Sequence, residues 1–272
     1  MNAQPFFFCN DRHHLYGILY RPVKNIKRVG FVFCDAFAEE KLWSQRVMVA
    51  FAKRLADQGY WVLLFDYMGN GESEGDFEQT TLSSMISDAQ CAVQKLLRKE
   101  KNLQKINLLG LRLGATVAAQ VAAHEKNIGK LVMWAPVFDG KEYIKELFRI
   151  NFSTQLIIHK RVLYNSENLV QKMRHGDTVN LDGYELTYRL YNEILKQNLN
   201  SICMPKEISV FIGNVGKSDK HFHNVKNKLR MDSLWTYRVI EENHFWKESK
   251  YVLSTAENLF QETEKWLNCH DH

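Results

Sequence analysis

Lys105-Ile106-Asn107-Leu108-Leu109-Gly110-Leu111-Arg112-Leu113-Gly114-Ala115-Thr116 is an apolar strand running through Gly-x-Arg-x-Gly into an alanine-rich helix. A strand that turns this abruptly into a helix needs glycines where the two elements close on each other. It also lifts one central residue above the sheet in a strained conformation. In the Gly-x-Ser-x-Gly form of the turn that residue is the attacking hydroxyl. Here it is Arg112, which stays protonated at neutral pH and is no nucleophile.

On both sides of this turn, short apolar runs alternate with helical spacing. Residues 29–34 and 61–65 are continuous apolar runs, and Lys130-Leu131-Val132-Met133-Trp134-Ala135 within 128–137 supplies another; each reads as a buried strand. Between the first two, Val47, Phe51 and Leu55 recur at helical spacing until Gly59. A further helix is expected over about 81–97, with Asp88 on its polar side. A hairpin is expected at the start, from 6–9 and 15–20. The rhythm predicts right-handed crossovers and an α/β fold, a mostly parallel, doubly wound sheet of about eight strands. From 138 to 205 the rhythm gives way to amphipathic, aromatic and basic segments with no clear strand before 179–186. We read this as an inserted helical cap on a core made of residues 1–137 and 206–272. Strands at 207–213 and 233–240 and a helix over about 247–267 complete that core.

With 272 residues, 45% of them hydrophobic, the chain can bury a large core. The balance of 36 basic and 31 acidic residues is spread along the sequence, so no stripe suited to nucleic acid stands out. No uncharged apolar run is long enough to span a bilayer, and no secretory leader is recognised, so a cytoplasmic protein is expected. Cys9, Cys34, Cys91, Cys203 and Cys269 are scattered, which argues against a disulfide framework or a zinc site. His221 and His223 lack the further ligands that would complete a metal site. No metal or cofactor is expected.

In open parallel sheets, sites form beyond the carboxyl ends of the strands. Arg112 opens its helix, where unpaired backbone N–H groups disfavour a cation unless something negative answers it. The answering group is Glu39, Glu40 or Asp66, all on neighbouring strand-end loops, or an anionic ligand. His244 follows the last strand and takes the place of a general base, though it could equally cap the next helix. Its acid partner would be Asp219 or Asp139. Backbone donors around Cys34, Ala36 and Phe37, together with the Leu113 N–H, stand where an oxyanion would be held. Ser73 belongs to a turn-forming Gly-x-Gly-x-Ser-x-Gly loop. Tyr143, Phe148, Phe152, Tyr164, Tyr184, Tyr188 and Tyr191 either line an apolar pocket or form the core of the cap.

Asp66-x-x-Gly69-x-Gly71-x-Ser73-x-Gly75, the turn at 110–114 and the late His244 resemble the α/β-hydrolase superfamily over essentially the whole chain. More narrowly, Phe37-Ala38-Glu39-Glu40 with Arg46 and Met48, Gly110-Leu111-Arg112-Leu113-Gly114-Ala115, Trp134-Ala135-Pro136-Val137 with Gly140-Lys141, Gly183-Tyr184-Glu185-Leu186 and Phe245-Trp246 resemble the exosortase A system-associated hydrolase-like family. That family also carries Arg where the serine is expected. The resemblance implies an α/β-hydrolase fold, a capped pocket with Trp246 beside it, and a setting in exopolysaccharide metabolism. It does not transfer acyl-enzyme chemistry to an arginine.

Three functions follow as expectations. The chain binds an acyl, ester or anionic metabolite beneath its cap. Alternatively, it is a hydrolase in which His244 activates water while Arg112 holds an anion or the developing oxyanion. As a third course, it is a non-catalytic partner whose aromatic and basic insertion docks to a protein or a membrane surface. A small-molecule partner without nucleic acid is expected, and homo-oligomers are left open.

Overall fold

The computed structural model describes residues 2–11, 13–216, 234–247 and 255–269. The chain opens with the hairpin β1 (Asn2–Asn10) and β2 (His13–Arg21), then β3 (Val29–Cys34), α1 (Glu39–Asp57), β4 (Trp61–Phe65) and α2 (Leu82–Lys99). Next come β5 (Lys105–Leu111), α3 (Leu113–His124) and β6 (Ile128–Trp134). Between β6 and its neighbour in the sheet lie α4 (Gly140–His159), α5 (Ser166–Arg174), the small hairpin β7 (Val179–Leu181) and β8 (Tyr184–Leu186), and α6 (Tyr188–Leu195). The chain then forms β9 (Ser209–Val215), β10 (Trp235–Ile240) and α7 (Glu257–Cys269).

Eight strands make one sheet in the order β1-β2-β4-β3-β5-β6-β9-β10. Within it β2 alone runs against its neighbours, and every pairing from β4 to β10 is parallel. This is the doubly wound α/β-hydrolase arrangement expected from the sequence. Continuous apolar runs pay off where both faces are covered: β3 is buried from Gly30 to Cys34 and β5 from Ile106 to Leu111. On one face Phe51 of α1 stacks among Trp134 and Phe260, with ring centroids 4.8 Å away in each case. On the other, α2 and α3 cover Leu108, Leu131 and Met133, and this apolar cluster runs on into Tyr143, Leu147, Leu190 and Ile194 from α4 and α6.

One expectation about the helices needs correcting. Asp88 lies buried rather than on a solvated face, because its carboxylate accepts from Asn10 Nδ2 at 2.7 Å and from the Met68 N–H at 2.9 Å. It thereby ties α2 to the opening hairpin and to the loop after β4. The last described helix runs from Glu257, after a non-helical Thr255 and Ala256, while residues 248–254 of the span expected to be helical lie outside the described residues. Asn258 is held to the exit of β10 by bonds to Glu242 and to the Glu241 carbonyl, so helix begins there. Phe245 and Trp246 meanwhile pull the preceding loop onto the sheet.

Candidate functional site

The turn after β5, the elbow between β5 and α3, adopts the strained geometry that its glycines allow. Arg112 has φ 55° and ψ −120°, a conformation that costs an ordinary residue on the order of 1–3 kcal/mol. Neighbouring strand ends hold it there: the Arg112 N–H donates to the Trp134 carbonyl at 3.0 Å, and the Ala135 N–H to the Gly213 carbonyl at 2.8 Å. A Cβ on Gly114 would strike the carbonyl oxygens of Cys34 and Asp35, so the first turn of α3 can lie against the end of β3 only with glycine there. Ala38, at the start of α1, takes up a similar positive φ of 52°.

Above this turn the Arg112 guanidinium is held between two carboxylates. Nε donates to Glu40 Oε1 at 2.8 Å, and Nη2 to Glu146 Oε2 at 2.7 Å. Tyr143 donates its hydroxyl to the second oxygen of Glu40 at 2.8 Å, and Lys247 Nζ reaches the second oxygen of Glu146 at 2.8 Å. The rings of Tyr143 and Trp246 lie 5.3 and 5.4 Å from the guanidinium carbon, completing an aromatic collar. Two cations and two carboxylates therefore balance, and α1, α3, α4 and the loop after β10 meet in one network. Burial raises the Glu40 carboxyl, while Arg112 and the Tyr143 hydroxyl oppose that rise. For Glu146, burial is outweighed by Arg112 and Lys247, and its carboxyl is lowered. Both Glu40 oxygens accept hydrogen bonds, as the ionised form requires.

Of the carboxylates proposed to answer Arg112, Glu40 does so and Asp66 does not, because Asp66 pairs with Lys41. Glu39 accepts from Trp43 Nε1 at 3.3 Å. Two partners escaped the sequence reading. Glu146 sits two turns into α4 and Lys247 lies three residues past His244. Glu142, Tyr143 and Glu146 share a helical face at the start of an element leaving a strand end, and that spacing was the available signal.

His244 lies exposed at the cleft with Nε2 3.3 Å from the Val215 carbonyl and its ring 5.0 Å from that of Trp246. Burial on its inner side, with Lys247 and Arg112 nearby, lowers its pKa and keeps the imidazole neutral near pH 7. Among the described residues no carboxylate hydrogen-bonds to it. Asp219, like His221 and His223, lies outside the described residues. Asp139 spends its carboxylate on the start of α4, accepting from the Lys141 N–H at 2.7 Å. Cys34, Ala36, Phe37 and Leu113 are all buried at the adjoining strand and helix ends. Burial pushes the Cys34 thiol to about 12, so it is not a reactive thiolate. Ser73 lies in the loop after β4 and is fully used there, donating to the Asp66 carbonyl and accepting from the Tyr16 N–H. Of the seven aromatic residues named between 138 and 205, Tyr143 lines the cleft, Phe148 is buried in the core and Tyr164 is exposed.

The cleft itself has a volume of about 730 Å³, within the range that holds a small molecule. Arg112, Tyr143, Trp246, His244, Asn214 and Asn198 line it, together with the apolar residues 136–138. The chemistry on offer is hydrogen bonding from amides and a neutral imidazole beside a charge-balanced ion cluster. Among the described residues no group of histidine, cysteine and acidic side chains could hold a metal ion, and no helix is long and apolar enough to cross a membrane.

Comparison with known proteins gives the same fold. The structure is similar to Est1E from Butyrivibrio proteoclasticus with ferulic acid bound, at a TM-score of 0.68 and 17% identity over 97% of this chain and 99% of that one. It is also similar to the α/β hydrolase GrgF from Penicillium sp. sh18, at 0.67 and 16% over 99% of both chains. A third is XC6422 from Xanthomonas campestris, an α/β serine hydrolase without lid, at 0.61 and 13% over 98% of this chain and 93% of that one. No curated protein matches in sequence. The Hydrolase_4 family model, described as serine aminopeptidase, S33, matches residues 40–186, which span α1, the elbow and most of the segment after β6. The strained turn, the parallel sheet and this match agree, and the chain belongs to that family within the α/β-hydrolase superfamily.

Proposed function

We propose that this protein binds a small acyl or ester compound in the cleft beside Arg112 and does not form an acyl-enzyme. The observation that carries the reading is the Arg112 guanidinium, held on the elbow by Glu40 and Glu146 at 2.8 and 2.7 Å. A triad without its serine loses on the order of 10⁶-fold in rate, leaving roughly 10³-fold from binding and oxyanion donors. Because the clamp is already neutral in charge, a neutral ester or amide suits the cleft better than an anion. Its carbonyl could accept from Arg112 Nη1, which has no hydrogen-bond partner among the described residues.

Residues 138–205 act in this reading as the cap, since α4 and the turn at Asn198 and Asn200 contribute cleft-lining groups. The resemblance to the exosortase-associated family supports a ligand from exopolysaccharide metabolism. One observation favours a second reading, hydrolysis by activated water: the neutral, exposed imidazole of His244 can accept a proton.

A fluorophosphonate probe, an activated-ester assay and a thermal-shift screen of acyl and ester compounds test these readings together. Binding without covalent labelling or turnover is expected. Turnover that vanishes in His244→Ala but survives in Arg112→Ala would replace the first reading with the second, and labelling of any serine would overturn both.

A further inference from the structure

The C-terminal end of α4 and the loop after it bear no relation to the cleft. Residues 156–168 are exposed without a break. Leu156, Ile157 and Ile158 are 50%, 71% and 64% exposed, and after His159-Lys160-Arg161 comes a second apolar run, Val162-Leu163-Tyr164, also exposed. Two apolar triplets thus bracket a basic one, and no acidic residue lies between 156 and 164. Lys160 adopts the left-handed conformation, φ 57° and ψ 12°, which ends α4, and Gln155 Oε1 accepts from the Leu163 N–H at 2.7 Å and the Tyr164 N–H at 2.9 Å, holding the second triplet against the end of the helix that carries the first. Lys172 reinforces the positive charge, its Nζ lying 3.6 Å from the centre of the Tyr164 ring. Glu167 is the nearest acid in sequence, and Lys172 and Arg174 at the other end of α5 outnumber it.

We infer that this tip docks the protein onto an anionic phospholipid bilayer. The occupant follows from complementarity. Isoleucine and leucine side chains exposed to this degree gain by entering the boundary between headgroups and acyl chains, while flanking Lys and Arg extend their stems and keep their charges at phosphate level. A cationic cluster is attracted by a negatively charged leaflet and not by a neutral one. The loop between β2 and β3 carries a second exposed apolar pair, Val23 and Ile26. It has two exposed apolar residues against six on the α4 tip, and two cations there are already engaged, Arg21 at the end of β2 by Glu100 and Lys27 in the loop by Tyr60. From Tyr143 to Ile157 the helix rises about 20 Å, so changes at the tip leave the Arg112 clamp intact.

Flotation with 100 nm vesicles tests the proposal, using pure phosphatidylcholine against a mixture containing phosphatidylglycerol. The full chain should float with the anionic vesicles and not the neutral ones, and added salt should weaken the association. Ile157→Asp with Ile158→Asp should lower partitioning roughly tenfold or more, and Lys160→Glu with Arg161→Glu should abolish the preference for anionic vesicles. Val23→Asp with Ile26→Asp should change nothing. These positions are exposed, so circular dichroism and Tm should match the wild type. Absence of flotation, equal flotation of the tip variants, or loss in the Val23 and Ile26 variant instead would overturn the proposal. So would a dimer in sedimentation equilibrium that Ile157→Asp dissolves while vesicle binding is absent.

Discussion

Glu40 Oε1 stands 2.8 Å from Arg112 Nε, so the residue at the top of the elbow is neutralised by the first turn of the helix after β3. Glu40 and Glu146 both serve Arg112, yet they are not equivalent. Glu40 is the more enclosed, its side chain 12% exposed against 32% for Glu146, and Glu146 keeps Lys247 as a second partner. Removing Glu40 leaves the buried Arg112 with Glu146 as its one carboxylate partner, and losing a partner in a buried pair costs up to about 3–5 kcal/mol. A partly solvated pair is worth about 1 kcal/mol or less. Glu40→Ala is therefore expected to lower unfolding free energy severalfold more than Glu146→Ala in urea titrations. Equal costs would mean that the clamp is held mainly from α4.

Placing a serine at the elbow is not expected to create a hydrolase. In Arg112→Ser the Glu40 carboxylate would remain near the point where an oxyanion develops, and His244 lacks a carboxylate hydrogen bond among the described residues. Hydrolysis of p-nitrophenyl acetate by Arg112→Ser should stay at background. Adding Glu40→Gln should raise it roughly tenfold by removing the opposing charge. A single Arg112→Ser variant with robust turnover would show that the ion cluster is no obstacle.

The backbone half of this site was legible in the sequence. Gly110 and Gly114 announce a close strand-to-helix turn, and topology alone gathers Glu40, Arg112 and His244 at one end of the sheet. Side-chain partnership was less legible. Glu40 and Asp66 were equivalent as residues on adjacent loops, and only the fold places Lys41 against Asp66 and leaves Glu40 for Arg112. Glu146 lay hidden in a segment whose strand rhythm had failed, where helical phase is the sole guide. Asp88 misled for a related reason. An acid on a helix reads as solvated until the hairpin that supplies Asn10 is folded against it.

Gly114 offers a test of the turn itself. An added methyl group would collide with the carbonyl oxygens of Cys34 and Asp35, which are backbone atoms and cannot rotate away. Gly114→Ala should destabilise by about 1–3 kcal/mol or more through overpacking. It should also alter the environment of Trp246, read as a change in near-ultraviolet circular dichroism. Gly176→Ala is the contrasting case. Nothing lies near its missing side chain, and only the positive φ of 98° opposes the change. A Gly114→Ala variant as stable as the wild type would show that α3 does not rest on β3.

Asp35 supplies a pH dependence whose sign can be worked out. Burial pushes its carboxyl up to about 6, with Lys41 pulling it down and Asp66 adding to the rise. In the unfolded chain an aspartate titrates near 3.9. Between those values the native state holds more protons than the unfolded state, so stability falls as pH rises from about 4 and the loss is complete above about 6. The shift corresponds to roughly 3 kcal/mol at most. Among the described residues the Asp35 carboxylate accepts no hydrogen bond that an asparagine would forfeit. Asp35→Asn is therefore expected to raise Tm at pH 7.5 and to bring little or no gain at pH 4. A variant destabilised equally at both pH values would instead make Asp35 a needed partner of Lys41, with its charge helping to hold the ends of β3 and β4 together.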